Sequence, residues 1–98
     1  MNFGPWSPLH AATLPSGPGV LQVRREHGLV GYPRGKSAMV CYAAAEDLRA
    51  AAAAIAAAHP EAAWLVRCNR EPVVDPAAAA ARLIAEFAER FGAPPRPG

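Results

Sequence analysis

Ala38-Met39-Val40-Cys41-Tyr42-Ala43-Ala44-Ala45-Glu46-Asp47-Leu48-Arg49 is the stretch on which the fold of this chain turns. Its first part, Ala38 to Tyr42, is an apolar, β-prone run that reads as a strand. Glu46-Asp47 then begins a long helical run, with acids where the helix dipole favours them and alanine, the best helix former, filling most of its length. The run ends near His59-Pro60. Only Leu48 and Ile55 are larger apolar residues on it, two turns apart on one face, so its alanines suit close packing against a sheet.

Working outward, Val20 to Arg24 is β-prone and follows the turn signal Gly17-Pro18-Gly19, which makes it the first strand. His27-Gly28 is its natural reversal. Leu29-Val30 extends the pairing, but Gly31, Pro33 and Gly35 are expected to break the ladder and leave Arg34 and Lys36 on an exposed loop. Downstream, Ala63 to Cys68 reads as the third strand, with Trp64, Val66 and Cys68 on one face and Leu65 and Arg67 on the other. Asp75 suits an N-cap, Pro76 the first helical position, and Gly92 with Pro94 and Pro95 stops the second helix after Phe91. Leu83, Ile84, Phe87 and Phe91 give it an apolar stripe expected to supply most of the core, with Arg82, Glu86 and Arg90 outside.

The expected fold is therefore α+β, a small three-stranded, mainly antiparallel sheet flanked by helices in the order β-β-α-β-α. Residues 1–18, rich in Pro and Gly, read as an irregular covering segment pinned by Phe3, Trp6 and Leu9, with at most one helical turn near Pro8 to Ala12. Residues 19–92 form a single domain, and 93–98 a Pro-rich tail. At 98 residues the chain has room for one domain. Its hydrophobic fraction is 52%, but nearly half of that is alanine, which removes little surface from water, so the core rests on a few larger side chains.

The first twenty residues hold Pro5, Pro8, Pro15 and Pro18 and lack an apolar run, so they are not expected to be a signal peptide. Ala50 to Ala58 is too short to cross a bilayer. A soluble, cytoplasmic protein without a membrane partner is expected. Cys41 and Cys68 sit in apolar strands, where a reduced, buried thiol is favoured over a disulfide. The net charge of +2 and pI near 8.8 are too mild to demand nucleic acid, for which values above about 9 are the usual sign.

No motif supplies an obvious chemistry. Gly35-Lys36-Ser37 is similar to the end of a phosphate-binding loop, but the position of that motif's first glycine is Val30, and Ser37 runs into a strand where a helix N-terminus is needed. His10, His27 and His59 have no neighbour at metal-ligand spacing, so no metal or cofactor is expected. The carboxylates read as helix starts and solvated helical charges, not as an acid/base pair.

Pro18-Gly19-Val20-Leu21, followed by Val40-Cys41-Tyr42-Ala43-Ala44-Ala45-Glu46-Asp47-Leu48-Arg49, resembles the GIY-YIG nuclease domain, whose strands and first helix carry "PGVY" and "YIGxAxDLR". Ala80-Arg82-Leu83-Ile84 through Phe87 and Phe91-Gly92-Ala93-Pro94-Pro95 is similar to that family's last helix and exit. The resemblance implies catalysis by tyrosines that activate water, a helical arginine that stabilises the phosphate, and a glutamate that holds a divalent metal. On this chain the tyrosine of "GIY" falls on Leu21, that of "YIG" on Cys41, its glycine on Ala43, the arginine on Ala51 and the glutamate on about Ala80. Tyr42 points to the opposite face of its strand. Arg49 is turned roughly 200° around the helix from Ala51, and Glu86 lies about 9 Å of helix rise beyond Ala80. Loss of one such group commonly costs ~10²-fold in rate.

The leading expectation is a degenerate, catalytically inactive GIY-YIG-like binding or accessory module with no catalytic residues. Its candidate contact surface is a basic hairpin of Arg24, Arg25, Arg34 and Lys36, extended by Arg49, facing nucleic acid or an acidic protein. An ordinary solvated hairpin is the plain alternative. A divergent endonuclease or phosphodiesterase using Tyr32, Tyr42, Arg34 and Glu46 is a second reading. A structural or dimer-forming protein with an apolar patch around Phe3, Trp6 or Trp64 is a third.

Overall fold

The computed structural model describes residues 2–98. Its element order is β1 (Ser7–Pro8), β2 (Gly19–Arg25), β3 (Val30–Tyr32), β4 (Gly35–Ser37), β5 (Met39–Ala45), α1 (Leu48–Ala58), β6 (Trp64–Cys68) and α2 (Pro76–Phe91). The α+β class, the two helices and the antiparallel pairing agree with the sequence reading. The sheet is larger than expected: four strands in the order β1-β6-β2-β5, with β3-β4 as a separate two-stranded sheet.

The fourth strand comes from the segment read as irregular. Ser7 pairs with Val66 and Pro8 with Leu65, and Phe3 forms an isolated bridge with Asn69. A proline at this place is tolerated because β1 is an edge strand, where a missing N–H leaves no ladder bond unmade. The expected break at Gly31, Pro33 and Gly35 is also corrected. Pro33-Arg34 is a two-residue turn between paired strands, Tyr32 opposite Gly35 and Val30 opposite Ser37, and Gly35 supplies the positive φ, 124°, on leaving it.

β2 is central, paired with β5 on one side and β6 on the other. Both its edges are therefore paired, and its two faces pack against different helices. Leu21 and Val23 point to one face and join Leu48 and Ala52 of α1; Val20 points to the other and joins Ala79 and Ala80 of α2. The sheet is thus sandwiched between the helices. The amino-terminal segment wraps around the β6 edge, placing Phe3 against the α2-side cluster and Leu9 in the α1-side cluster.

The larger core lies on the α1 side, around Leu9, Leu14, Leu21, Val23, Val40, Leu48 and Val66. This corrects the expectation that α2 supplies most of the core. The sheet face on the α2 side carries Gln22, which is buried with a hydrogen-bond partner, and Arg24 and Arg67, which stay half-buried because a charge is costly to remove from water. A bulge between Val23 and Arg24 sends Val40 into the core out of strict alternation.

α2 is capped as the sequence signals, and Asp47, expected within the start of the α1 run, is the N-cap of that helix. Asp47 and Asp75 accept from the backbone N–H of Ala50 and Ala78, each at 3.1 Å, and Gly92 ends α2 in the left-handed region at φ 89°. Gly19 is fixed by space: a Cβ there would lie 2.3 Å from Asn69 Oδ1, the atom that accepts the Val20 N–H at 2.8 Å.

Candidate functional site

The strand register decides what the positions implied for catalysis can do. Leu21 lies directly opposite Ala43, and Val23 opposite Cys41, so Leu21, Ala43 and Cys41 share the α1 face. Ala51 packs against the same cluster from α1. Leu21 is fully buried. Ala80 sits across the sheet against Val20. Four of the five positions thus meet on one face, as a packed apolar layer, and the fifth is separated from them by the sheet. Burial pushes the Cys41 and Cys68 thiols up from their ordinary value, which lowers their reactivity at neutral pH. Both are free. They flank β2 on separate strands, and two strand spacings of about 4.8 Å put them beyond disulfide reach.

The predicted basic surface is divided among structural tasks. Arg34 donates from its guanidinium to the Glu89 carbonyl and from its backbone N–H to Phe91 O at 2.9 Å, placing a cation at the negative end of α2. Arg25 donates to His27 O at 3.3 Å and to Pro97 O at 3.4 Å, holding the carboxy-terminal tail. Arg49 donates Nε to Leu14 O at 2.8 Å, tying α1 to the amino-terminal segment. Lys36 is exposed. Arg24 alone of the five lies on the sheet face on the α2 side.

Around Arg24 is a group that sequence reasoning missed. Gln22 is directly opposite Tyr42 on one side and Arg67 on the other, so the three side chains form one row across the sheet. Gln22 is 3% exposed and accepts Arg67 Nε at 2.7 Å. The guanidinium carbons of Arg24 and Arg67 lie 4.6 and 4.3 Å from the centroid of the Trp6 ring, and Arg67 is also 5.0 Å from that of Phe3. Burial, and then repulsion by Arg24, hold the Arg67 guanidinium below the ordinary arginine value, with Tyr42 acting in the other sense. Burial pushes the Tyr42 hydroxyl up, Arg67 pulls it back, and Glu86 of α2 adds to the rise. Among the described residues no carboxylate lies within 4.0 Å of a lysine or arginine nitrogen, the one contact between a basic and an acidic side chain being His27–Glu26 at 3.9 Å, so neither arginine is paired with an acid.

Comparisons with protein families, curated proteins and solved structures return no match.

The constellation of the second reading is not assembled in one cleft. Glu46 lines a cleft of about 270 Å³ with Pro18, Asp75 and Pro76 at the amino-terminal end of α2. Arg34 is at its carboxy-terminal end, and a helix of 16 residues is about 24 Å long. Tyr32 and Tyr42 both touch Phe87, at 5.2 and 6.3 Å between centroids, but the Tyr32 hydroxyl accepts the Arg96 N–H. Nor do the aromatics of the third reading form an exposed patch: Phe3 and Trp6 are half-buried over Arg67, and Trp64 packs against the core and His59. Among the described residues the exposed large apolar side chains are Leu29 and Val74. Among the described residues no group of three or more His, Cys, Asp or Glu could hold a metal, and no helix is long and apolar enough to cross a membrane.

Proposed function

We propose that this protein is a non-catalytic, GIY-YIG-like binding module that holds nucleic acid through the α2-side face of its sheet. The observation that carries the reading is the replacement of every implied catalytic group by an apolar side chain, with Leu21, Cys41, Ala43 and Ala51 packed together in or against the core. Water activation and phosphate stabilisation both need polar groups at a water-accessible centre, and a filled aliphatic layer provides neither. Arg24 and Arg67, paired with no acid and set beside Trp6 and Phe3, combine cations with aromatic surface, which suits a nucleic-acid strand better than an acidic protein surface. A cytoplasmic setting, where unbridged thiols are ordinary, fits Cys41 and Cys68.

The test has two parts. Purified protein with Mg²⁺ or Mn²⁺ should leave single-stranded, duplex and branched DNA intact, and labelled strands should bind with an affinity that falls steeply as salt rises. Divalent-dependent cleavage by the parent protein, lost in a folded variant such as Arg67→Gln, overturns the non-catalytic reading. Absence of salt-sensitive binding to any strand overturns the nucleic-acid reading.

A further inference from the structure

Arg24 and Arg67 are diagonal neighbours on one sheet face: Arg67 is opposite Gln22, and Arg24 is opposite Leu65 on the same pair of strands. That step keeps long side chains within reach of each other. Because both guanidinium carbons sit over one indole ring, they are within about 9 Å of each other. A cation over the Trp6 ring meets a π face and not a hydrogen-bond acceptor, so this contact commits none of its N–H donors to an oxygen. Among the described residues Arg24 donates no side-chain hydrogen bond within the protein, and Arg67 spends only Nε, on Gln22. The other anchored arginines differ: Arg25, Arg34, Arg49 and Arg96 all donate to backbone carbonyls.

We infer that Arg24 and Arg67, held on Trp6, form a two-fork site for a terminal phosphate, the monoester end of a nucleic-acid strand. The inference rests on the nucleic-acid-binding reading and narrows it to one end of the strand. Two like charges are kept together without a carboxylate, so a bound anion would relieve a repulsion that the protein leaves in place. A guanidinium gripping phosphate through two parallel N–H···O bonds keeps its central carbon about 4 Å from phosphorus, so two forks on one group stand up to about 8 Å apart, within the limit set by Trp6. A terminal phosphate offers three free oxygens and nearly two charges. An internal phosphodiester offers two oxygens and one charge, and a carboxylate has a single edge for one fork, so both fit the paired site less well. Tyr42 and Gln22 border the arginines on the sheet, and Glu86 of α2, whose charge acts on Tyr42, pairs with neither arginine.

The experiment compares one labelled oligonucleotide carrying a 5′-phosphate with the same strand ending in a 5′-hydroxyl, by fluorescence anisotropy at fixed ionic strength. Inorganic phosphate and an acidic peptide serve as competitors. The phosphorylated strand should bind about tenfold or more tightly, as expected for added charge-assisted hydrogen bonds, and inorganic phosphate should compete with it better than the peptide does. Arg24→Gln and Arg67→Gln should each erase the preference while circular dichroism shows a folded chain. Arg82→Gln, on the outer side of α2, should leave it unchanged. If Arg67→Gln does not fold, Arg24→Gln decides. Equal, salt-sensitive binding of both strands overturns this inference and leaves the nucleic-acid reading standing. Binding of neither strand, with inorganic phosphate still quenching Trp6 fluorescence in a Trp64→Phe background, upholds the phosphate pair and overturns the strand as its source. Better competition by the acidic peptide overturns the phosphate assignment in favour of a protein partner.

Discussion

The two faces of the sheet are made by alternate residues of the same strands, and they have opposite characters. Beneath α1, Leu21, Val23, Val66 and Cys68 close into a dry layer with Leu9, Leu14 and Leu48. On the α2 side, the next residues along, Gln22, Arg24, Tyr42 and Arg67, form a polar row that Trp6 only partly covers. One face spends its side chains on stability and the other keeps charge available. Four of the positions that the nuclease resemblance implies for catalysis lie on the apolar face, and the proposed contact surface lies across the sheet from them.

Substitutions can break or sharpen that contrast. The largest effect is expected at Leu21, which has no exposed surface and touches the main core. Leu21→Ala should cost about 2–5 kcal/mol, read by urea unfolding, while any preference for a terminal phosphate survives in the folded fraction. A loss below about 1 kcal/mol would mean that the α1 face is not close-packed.

A smaller effect separates the faces by pH. The folded chain holds the protons of Cys41 and Cys68 more tightly than the unfolded chain does, since burial raises both thiols above the ordinary 9.0. Stability from this source is complete below the unfolded value and is lost as pH rises through the folded one. Tyr42, on the other face, has the same sign but begins from 10.0. The denaturation midpoint should therefore hold to about pH 8.5 and then fall. In the Cys41→Ala, Cys68→Ala double variant the fall should begin later and retain only the tyrosine contribution. A midpoint that rises across this range would contradict the assignment.

The smallest effect belongs to the polar face. Arg24→Gln should change stability by less than about 1 kcal/mol, because the lost stacking on Trp6 offsets the relieved repulsion with Arg67. Salt should shift the balance against the variant, since screening weakens the repulsion that the parent suffers at low ionic strength. A variant that loses several kcal/mol would make Arg24 a structural residue on the same footing as Leu21.

Legibility in the sequence follows the range of the interactions. α2 was readable to its ends because Asp75, Pro76 and Gly92 act within one turn of the helix. The start of α1 at Asp47 and the strands β2, β5 and β6 were readable for the same local reason, to within a few residues. Strand β1 was not, because Pro5 and Pro8 signal a break and the pairing partner is Val66, far along the chain. Of the candidate site, Arg24 was singled out, but its place beside Arg67 and over Trp6 was not. Arg25, Arg34 and Arg49 looked free because the carbonyls that engage them, at Pro97, Glu89 and Leu14, are distant in sequence. Trp6 and Arg67 carried no motif that could have joined them; alternation along β6 placed Arg67 on the face opposite to Val66 and Cys68, and nothing more.

By itself the sequence determined the class of the fold, the positions of the two helices and the absence of polar groups where the resemblance requires them, since these depend on local propensity, capping and residue identity. Tertiary structure decided where the core lies, that the α2 side of the sheet carries a polar row beside its smaller apolar cluster, and that Arg24 and Arg67 share one indole. Those outcomes depend on strand order and register, which bring residues separated by dozens of positions to within a few ångströms.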